Sequence, residues 1–275
     1  MEDIMTEIKV GIVGCGGRMG QALVGAVLDQ EKTVLSGGTE RHGSPYIGNI
    51  IRHPLTGVET SLAISDDAEK LFMVSDVVID FTCPTATVLH AVYAAKYNTV
   101  HIAGTTGMTA EDEKALQEAA KSVPVVYASN FSLGVNLLFY LTQKAAQMLD
   151  EDFDIEILEM HHRHKVDAPS GTALSLGLQA AKGRGVDLNK VSDKARDGIT
   201  GERKRGDIGF AVLRGGNVAG EHTVSFNAND ERVELTHKAG DRAIFARGAV
   251  KAALWAVGKK PGLFDMFDVL GLPKD

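Results

Sequence analysis

The sequence predicts an α/β protein: a doubly wound parallel sheet that a helix near the C-terminus can rejoin, plus a second α+β domain with a mixed or antiparallel sheet. Three observations predict it. The chain opens with a strand, a glycine-rich turn and a helix between Ile8 and Val27. Short apolar strands then alternate with helical stretches as far as Phe131. From Asp207 the spacing becomes that of strands alone, and helical spacing returns at Arg242. Alternation of the first kind builds a parallel sheet with helices on its faces, whereas successive strands build hairpins. The expected division is therefore residues 1–131 with 242–275, a discontinuous first domain, and residues 132–241, a second domain.

Ile8, Val10 and Ile12 alternate with Lys9, Gly11 and Val13, the period of a strand. The loop Gly14-Cys15-Gly16-Gly17-Arg18-Met19-Gly20 follows, and then a helical run with Met19, Leu23, Ala26 and Val27 on one side. Strand, glycine turn and helix form the Rossmann-like dinucleotide-binding opening. The glycines allow a tight turn and close backbone approach to a diphosphate, and the helix N-terminus favours negative charge. Gly14, Cys15, Gly16, Gly17, Arg18 and Met19 are the candidate contacts with NADPH or NADH. The spacing is Gly14-x-x-Gly17-x-x-Gly20, because Met19 stands where the common fingerprint has its third glycine. A purely structural turn is the competing reading. Cys15 reads as a small filler.

A second strand, Thr33 to Gly38, leads to Glu40, placed to accept from a ribose 2′-hydroxyl. Arg41 beside it suits a 2′-phosphate, so either cofactor is expected; two solvated loop charges are the alternative. Val77 to Phe81 is the next strand, Thr85 to Tyr97 a helix, Val100 to Ala103 a strand and Pro124 to Ala128 another. Thr109 and Asp112 have capping-box spacing. Ligands of such sheets bind beyond the strand C-termini, which selects Gly104, Thr105 and Thr106, and Ala128, Ser129, Asn130 and Phe131. Ordinary turns have the same composition.

Gly134 to Asp150 reads as a helix, and Phe153, Ile155 and Ile157 then alternate with Asp154, Glu156 and Leu158 as a strand. That strand delivers His161-His162-Arg163-His164-Lys165, a cationic run within an acidic chain. Pro169 and Ser170 follow, then a run of small and apolar residues that reads as a helix capped near Ser170. N–H groups at Ser170, Gly171 and Thr172 are expected to bind an anion. A small substrate with one or two carboxylates, and proton transfer by His or Lys, is the inference. A solvated basic loop competes with it. A metal site on His161, His162 and His164 is disfavoured: the helical His-x-x-x-His spacing is missing, and Arg163 and Lys165 would repel a cation. The expected site holds no metal.

Lys182 to Gly206 is polar and reads as a mobile loop, with Arg203-Lys204-Arg205 a solvated run. Ile208, Phe210 and Val212 alternate, and Glu221 to Phe226 and Arg232 to Lys238 read as further antiparallel strands. His222 and His237 receive no role beyond polar positions in the sheet. Arg242 to Val257 is helical and can fold back onto the first domain.

Composition excludes several classes. With 29 Lys and Arg against 36 Asp and Glu, the formal charge of −7 argues against nucleic acid as a partner. Cys15 and Cys83 make no disulfide framework. The segment Met1 to Glu7 is acidic and lacks the apolar stretch of a signal peptide. No run of apolar residues reaches membrane-spanning length, so a cytoplasmic protein without a membrane partner is expected.

The string Glu159-Met160-His161-His162-Arg163-His164-Lys165-Val166-Asp167-Ala168-Pro169-Ser170-Gly171-Thr172-Ala173 resembles the substrate segment of the dihydrodipicolinate reductases. The glycine loop resembles that family's cofactor loop, including its departure from the common fingerprint, as do Gly104 to Gly107 and Ala128 to Ser132. The resemblance spans essentially the whole chain. It implies a Rossmann domain completed by the C-terminal helix, and a second domain for substrate binding and tetramer contacts. It implies reduction of the cyclic imine derived from 4-hydroxy-tetrahydrodipicolinate, a dicarboxylate, with hydride delivered to a ring carbon and a proton taken up beside it. Carried onto this chain, it makes His161 the acid/base group and Lys165 a proton donor, with His162, Gly171 and Thr172 on the substrate. The two domains are expected to close over the substrate, with hinges near Phe131 and Arg242. Two other readings stand beside the resemblance: another amino-acid-pathway dehydrogenase, such as one acting on aspartate, and a nicotinamide-sensing protein without turnover. The second leaves the cationic run unexplained.

Overall fold

The structure, a computed structural model, describes residues 7–274. The acidic N-terminal stretch therefore lies outside the described residues, apart from Glu7. The first strands and helices are β1 (Ile8–Val13), α1 (Arg18–Leu28), β2 (Thr33–Thr39), β3 (Ile50–Arg52), β4 (Glu59–Ala63), α2 (Ala68–Val74) and β5 (Val77–Asp80). Then come α3 (Pro84–Tyr97), β6 (Val100–Ala103), α4 (Ala110–Ala119), β7 (Pro124–Tyr127), α5 (Leu133–Met148), β8 (Asp154–His161) and α6 (Gly171–Arg184). The chain ends with α7 (Leu188–Val191), β9 (Ser192–Asp193), β10 (Ile208–Arg214), β11 (Glu221–Asn227), β12 (Arg232–Lys238), α8 (Ala243–Ala256), β13 (Gly262–Phe264) and α9 (Met266–Leu270). It divides into two compact units: one runs to Ser132 and resumes at Arg242, and the other is Leu133–Asp241.

The first unit is built on a six-stranded parallel sheet, in the order β13-β7-β6-β5-β1-β2. Its central strands are apolar on both faces apart from Asp80 and His101: Val77, Val78, Ile79, Val125 and Val126 are fully buried. That is what a strand covered on both faces requires. A core cluster joins Leu71, Phe72, Ala91, Ala94, Leu116 and Ala119 of α2, α3 and α4 to Val78 and Val125 of the sheet. α8 packs on α1 and against β5, β6 and β7. It comes so near the 131 loop that a Cβ at Gly248 would stand 1.7 Å from the Phe131 carbonyl oxygen. The chain order reverses between β1 and β5, and in such sheets the crevice beyond that point takes the ligand. The β3–β4 ribbon and the edge strand β13 are among the elements with no counterpart in the sequence reading.

The second unit is a five-stranded sheet, β12-β11-β8-β10-β9, with α5 and α6 packed against it. Strands from Asp207 onward were expected to be antiparallel. β11 does run antiparallel to β8 and β12, but β10 runs parallel to β8. A parallel neighbour needs a long crossover, and the 182–206 segment supplies it. Lys194 to Glu202, Lys204 and Arg205 are exposed, but Arg203, expected in a solvated run, is half-buried. Arg203 reaches Asp154 and Glu156 at 2.6 and 2.9 Å and also bonds the carbonyls of Ile155 and Asp207. Arg196 holds Glu156 with both terminal nitrogens. Two basic residues of the crossover, Arg196 and Arg203, are thus held by acids that point outward from β8. Among the described residues no helix is long and apolar enough to cross a membrane.

Candidate active site

Two clusters, one in each unit, carry the residues singled out from the sequence. In the first unit the glycine loop closes on itself: Gly17 N–H donates to the Gly14 carbonyl, and Gly14 has φ +70°. A Cβ at Gly20 would stand 2.0 Å from the Gly14 oxygen, so α1 begins directly on the loop's backbone. The Gly17 cap has no side-chain bond, which leaves first-turn N–H groups for an anion. The loop therefore fits a diphosphate by shape and by donor direction. Glu40 lies beside it, with Oε1 accepting from Gly16 N–H at 2.9 Å. Tyr46 lies over the same glycine; a Cβ on Gly16 would meet its ring at 2.7 Å. Cys15 is the buried filler expected, and burial, then the charge of Glu40, pushes its thiol up to about 12.

The other candidate cofactor residues separate by exposure. Gly17, Arg18, Arg41, Thr106 and Ser129 are open, and Met19, Ala128 and Asn130 are half-buried. Thr105 and Phe131 are buried and face inward. Thr105 Oγ1 pairs with Thr87 Oγ1 at 2.7 Å, and the Phe131 ring sits 5.3 Å from that of Phe81. Gly104 is required by that same Phe81, whose ring a Cβ would meet at 2.3 Å. Beneath these loops Asp80 ends β5, fully buried. Its carboxylate takes bonds from His90 Nδ1, His101 Nε2, Thr82 N–H and Thr82 Oγ1. Burial alone would favour the neutral acid, but the His101 and His90 contacts outweigh it and hold Asp80 well below the usual carboxylate range.

In the second unit the cluster grows from one strand. The inward residues of β8 are Ile155, Ile157, Glu159 and His161, so the apolar alternation turns polar over its last two positions. β11 does the same: Phe226 and Val224 are buried, and His222 next to them on that face is buried too. Register places His222 opposite Glu159, and Arg214 of β10 opposite His161. Glu159 Oε2 accepts from His161 Nδ1 at 2.6 Å and from Arg214 Nη1 at 2.8 Å. Its Oε1 accepts from Ser170 N–H at 2.9 Å and from Arg214 Nη2 at 3.0 Å. The His161 and His222 rings meet edge to face at 5.1 Å, and His222 Nε2 is 3.1 Å from Ser170 Oγ.

Ser170 is the cap expected, with Oγ accepting from Ala173 N–H. Its own N–H is taken by Glu159, so it is not free for an anion as the sequence suggested. Gly171 is exposed, and a Cβ there would meet nothing within 4 Å. The first turn of α6 is thus open at Gly171, and Thr172 beside it is half-buried. Lys165 is half-buried, and its Nζ lies 2.8 Å from Asp167 Oδ1; that contact, above all, holds Asp167 below the usual carboxylate range. His162 is half-buried, whereas Arg163 and His164 are exposed. Among the described residues no group of His, Cys, Asp and Glu is arranged to hold a metal ion. Glu159, Arg214 and His222 were not singled out from the sequence. The signal for Glu159 was present, as an acid on the inward register of an amphipathic strand.

Comparison with known proteins shows the family. Residues 8–131 match the family described as dihydrodipicolinate reductase, N-terminus, and residues 134–270 match dihydrodipicolinate reductase, C-terminus. The 4-hydroxy-tetrahydrodipicolinate reductase of Ruegeria pomeroyi is 56% identical over 269 residues, covering 98% of this chain and all of that protein. That of Brucella abortus is 55% identical over 263 residues, 95% of this chain and 98% of the relative. Among solved structures, a dipicolinate-bound dihydrodipicolinate reductase from Paenisporosarcina sp. TG-14 superposes with a TM-score of 0.74 at 26% identity, over 94% of this chain and 98% of that one. An amine dehydrogenase from Mycobacterium smegmatis, at 13% identity and a TM-score of 0.66 over 98% of this chain and 97% of its own, shares the fold alone.

Proposed function

The chain belongs to the dihydrodipicolinate reductase family and is an NAD(P)H-dependent oxidoreductase of the diaminopimelate route to lysine; we propose that it reduces the imine derived from 4-hydroxy-tetrahydrodipicolinate with the residues described above. A bound reduced nicotinamide supplies the hydride. The backbone of Gly14, Cys15, Gly16, Gly17, Arg18 and Met19 holds its diphosphate. Glu40 meets the ribose hydroxyls, with Arg41 available to a 2′-phosphate, so both NADH and NADPH are accepted. The 104–106 and 128–131 loops contact the nicotinamide end.

The observation that carries the substrate assignment is the joining of an imidazole to a helix N-terminus. His161 and Ser170 share one carboxylate, so a dianion held at Gly171 and Thr172 lies beside the His161 ring. His162 and the cationic run favour the second carboxylate. One proton is taken up with the hydride: His161 is the acid/base group for it, and Lys165, after exchanging Asp167 for the substrate, is the donor that replenishes it. We further infer a cytoplasmic homotetramer. The outward face of the second unit's sheet exposes Leu158 and Leu213, which suits contact between copies. Sedimentation equilibrium should return four chains; a monomer would remove this role from the sheet.

The test of the function is direct. The protein should oxidise NADH or NADPH, followed by absorbance, when given freshly prepared 4-hydroxy-tetrahydrodipicolinate, and pyridine-2,6-dicarboxylate should compete. Tight cofactor binding without turnover would favour the nicotinamide-sensing reading, and turnover of aspartate instead would favour the alternative dehydrogenase.

A further inference from the structure

We propose that Glu159 is the positioning residue of this site: it fixes which nitrogen of His161 exchanges protons, and it ties that ring to the carboxylate-binding end of α6. The proposal rests on the reading of His161 as the proton-transfer group. Glu159 is 1% exposed, and its four contacts use both carboxylate oxygens. Burial opposes its ionisation, but Arg214, then His161 and the Ser170 N–H outweigh burial and hold it below the usual carboxylate range. An ionised carboxylate only accepts hydrogen bonds. At 2.6 Å from Oε2, Nδ1 of His161 must therefore carry its proton whether the ring is neutral or cationic. Exchange is confined to Nε2.

At Nε2 the neighbouring turn leaves room only because it carries Gly220, where φ is +153° and a Cβ would lie 3.0 Å from that nitrogen. Glu159 also controls distance. Its Oε1 holds the Ser170 N–H, which sets where α6 begins. Arg214, while gripping Glu159, donates to the Asp167 carbonyl at 2.6 Å and so restrains the loop that carries Lys165. One carboxylate thus orients the imidazole, the anion-binding turn and the Lys165 loop together. A residue serving only the fold would need none of these partners to be proton carriers or anion binders.

The first measurement needs no variant. Imidazole 15N shifts of the wild-type enzyme should show His161 wholly as the Nδ1–H tautomer when neutral; an Nε2–H ring would overturn the proposal. In Glu159→Gln the carboxamide can donate as well as accept, so the tautomer should become mixed. The turnover number should fall on the order of 10–100-fold, as for other residues that orient a reacting imidazole. KM should change by less, because Gly171 and Thr172 remain. Glu159→Asp, which keeps the charge, should restore the tautomer and part of the rate. A Gln variant that keeps both tautomer and rate would sink the positioning role. His161→Ala separates the two levels. If it retains turnover, the proton-transfer reading itself fails. If it loses turnover while Glu159→Gln does not, only the role of Glu159 fails.

Discussion

Replacing His222 by Gln should flatten the acid dependence of the second unit's stability. His222 is 4% exposed, and its Nδ1 finds no partner among the described residues. Burial pushes the imidazole from 6.5 down to about 4; His161, His237 and Lys165 push the same way and Glu159 opposes them. The folded protein therefore holds the neutral ring. The unfolded chain takes up a proton below about pH 6.5, while the folded chain resists until about pH 4. The stabilising term is present in full above the unfolded value and is lost as pH falls from one value to the other. Between about pH 7 and about pH 4.5 that loss comes to about 2 kcal/mol. Gln can still reach Ser170 but does not titrate. The gap in unfolding free energy between wild type and His222→Gln should therefore shrink by about 2 kcal/mol over this range, whatever packing the substitution costs at neutral pH. Urea unfolding followed by circular dichroism measures it. Trp255, the one tryptophan, lies in α8 of the first unit, and its fluorescence would report the wrong half. Two curves that stay parallel with pH would refute the reasoning, since His222 would then take up its proton equally in both states.

Two further substitutions probe the first unit. Gly20→Ala places a methyl against the Gly14 oxygen and the Cys15 Cα, backbone atoms that cannot step aside; strain of about 1–3 kcal/mol falls on the diphosphate loop, and NADH affinity by fluorescence titration should drop roughly tenfold or more. Asp80→Asn leaves His90 and His101 without their carboxylate; a loss of about 3 kcal/mol is expected, read as a lower melting temperature, together with weaker cofactor binding as Thr82 and Thr105 lose their anchor. A normal melting temperature in Asp80→Asn would show that the buried carboxylate is dispensable.

Much of the fold was legible because local chemistry and tertiary environment agree. The strands of the first unit are apolar on both faces, and only burial between helix layers explains that pattern. Caps declared the helix starts: Thr109 with Asp112 forms the full capping box, and Ser170 caps α6. What escaped notice was short or depended on distant partners. β13 has three residues, Gly262–Phe264, and exists only because β7 offers it an edge. The parallel run of β10 beside β8 could not be read from alternation, which reports the face a residue occupies but not the direction of its neighbour. In the 182–206 crossover, the β8 partners of two arginines are distant in sequence and leave no local signal. Arg196 and Arg203 are bound by Glu156 and Asp154, which stand about forty to fifty positions earlier.

The same limit explains which part of the site was visible. His161, Lys165 and the Ser170 cap lie in one contiguous string, so residue type and order suffice to suggest an acid/base group beside an anion-binding turn. Arg214 and His222 enter through strand pairing alone, at 53 and 61 positions beyond His161, opposite His161 and Glu159 respectively. A slip of one residue in the β10 pairing would turn Arg214 to the outer face of the sheet, and a slip in the β11 pairing would turn His222 there. The first would also leave the buried Glu159 without its guanidinium partner, which costs several kcal/mol. Glu159 thus penalises the wrong register while it orients the imidazole. The hydrophobic pattern of β8 alone cannot do this at its end, because beyond Ile157 it has no apolar side chain left on the inner face. The polar end of the strand therefore both aligns the sheet and forms the site.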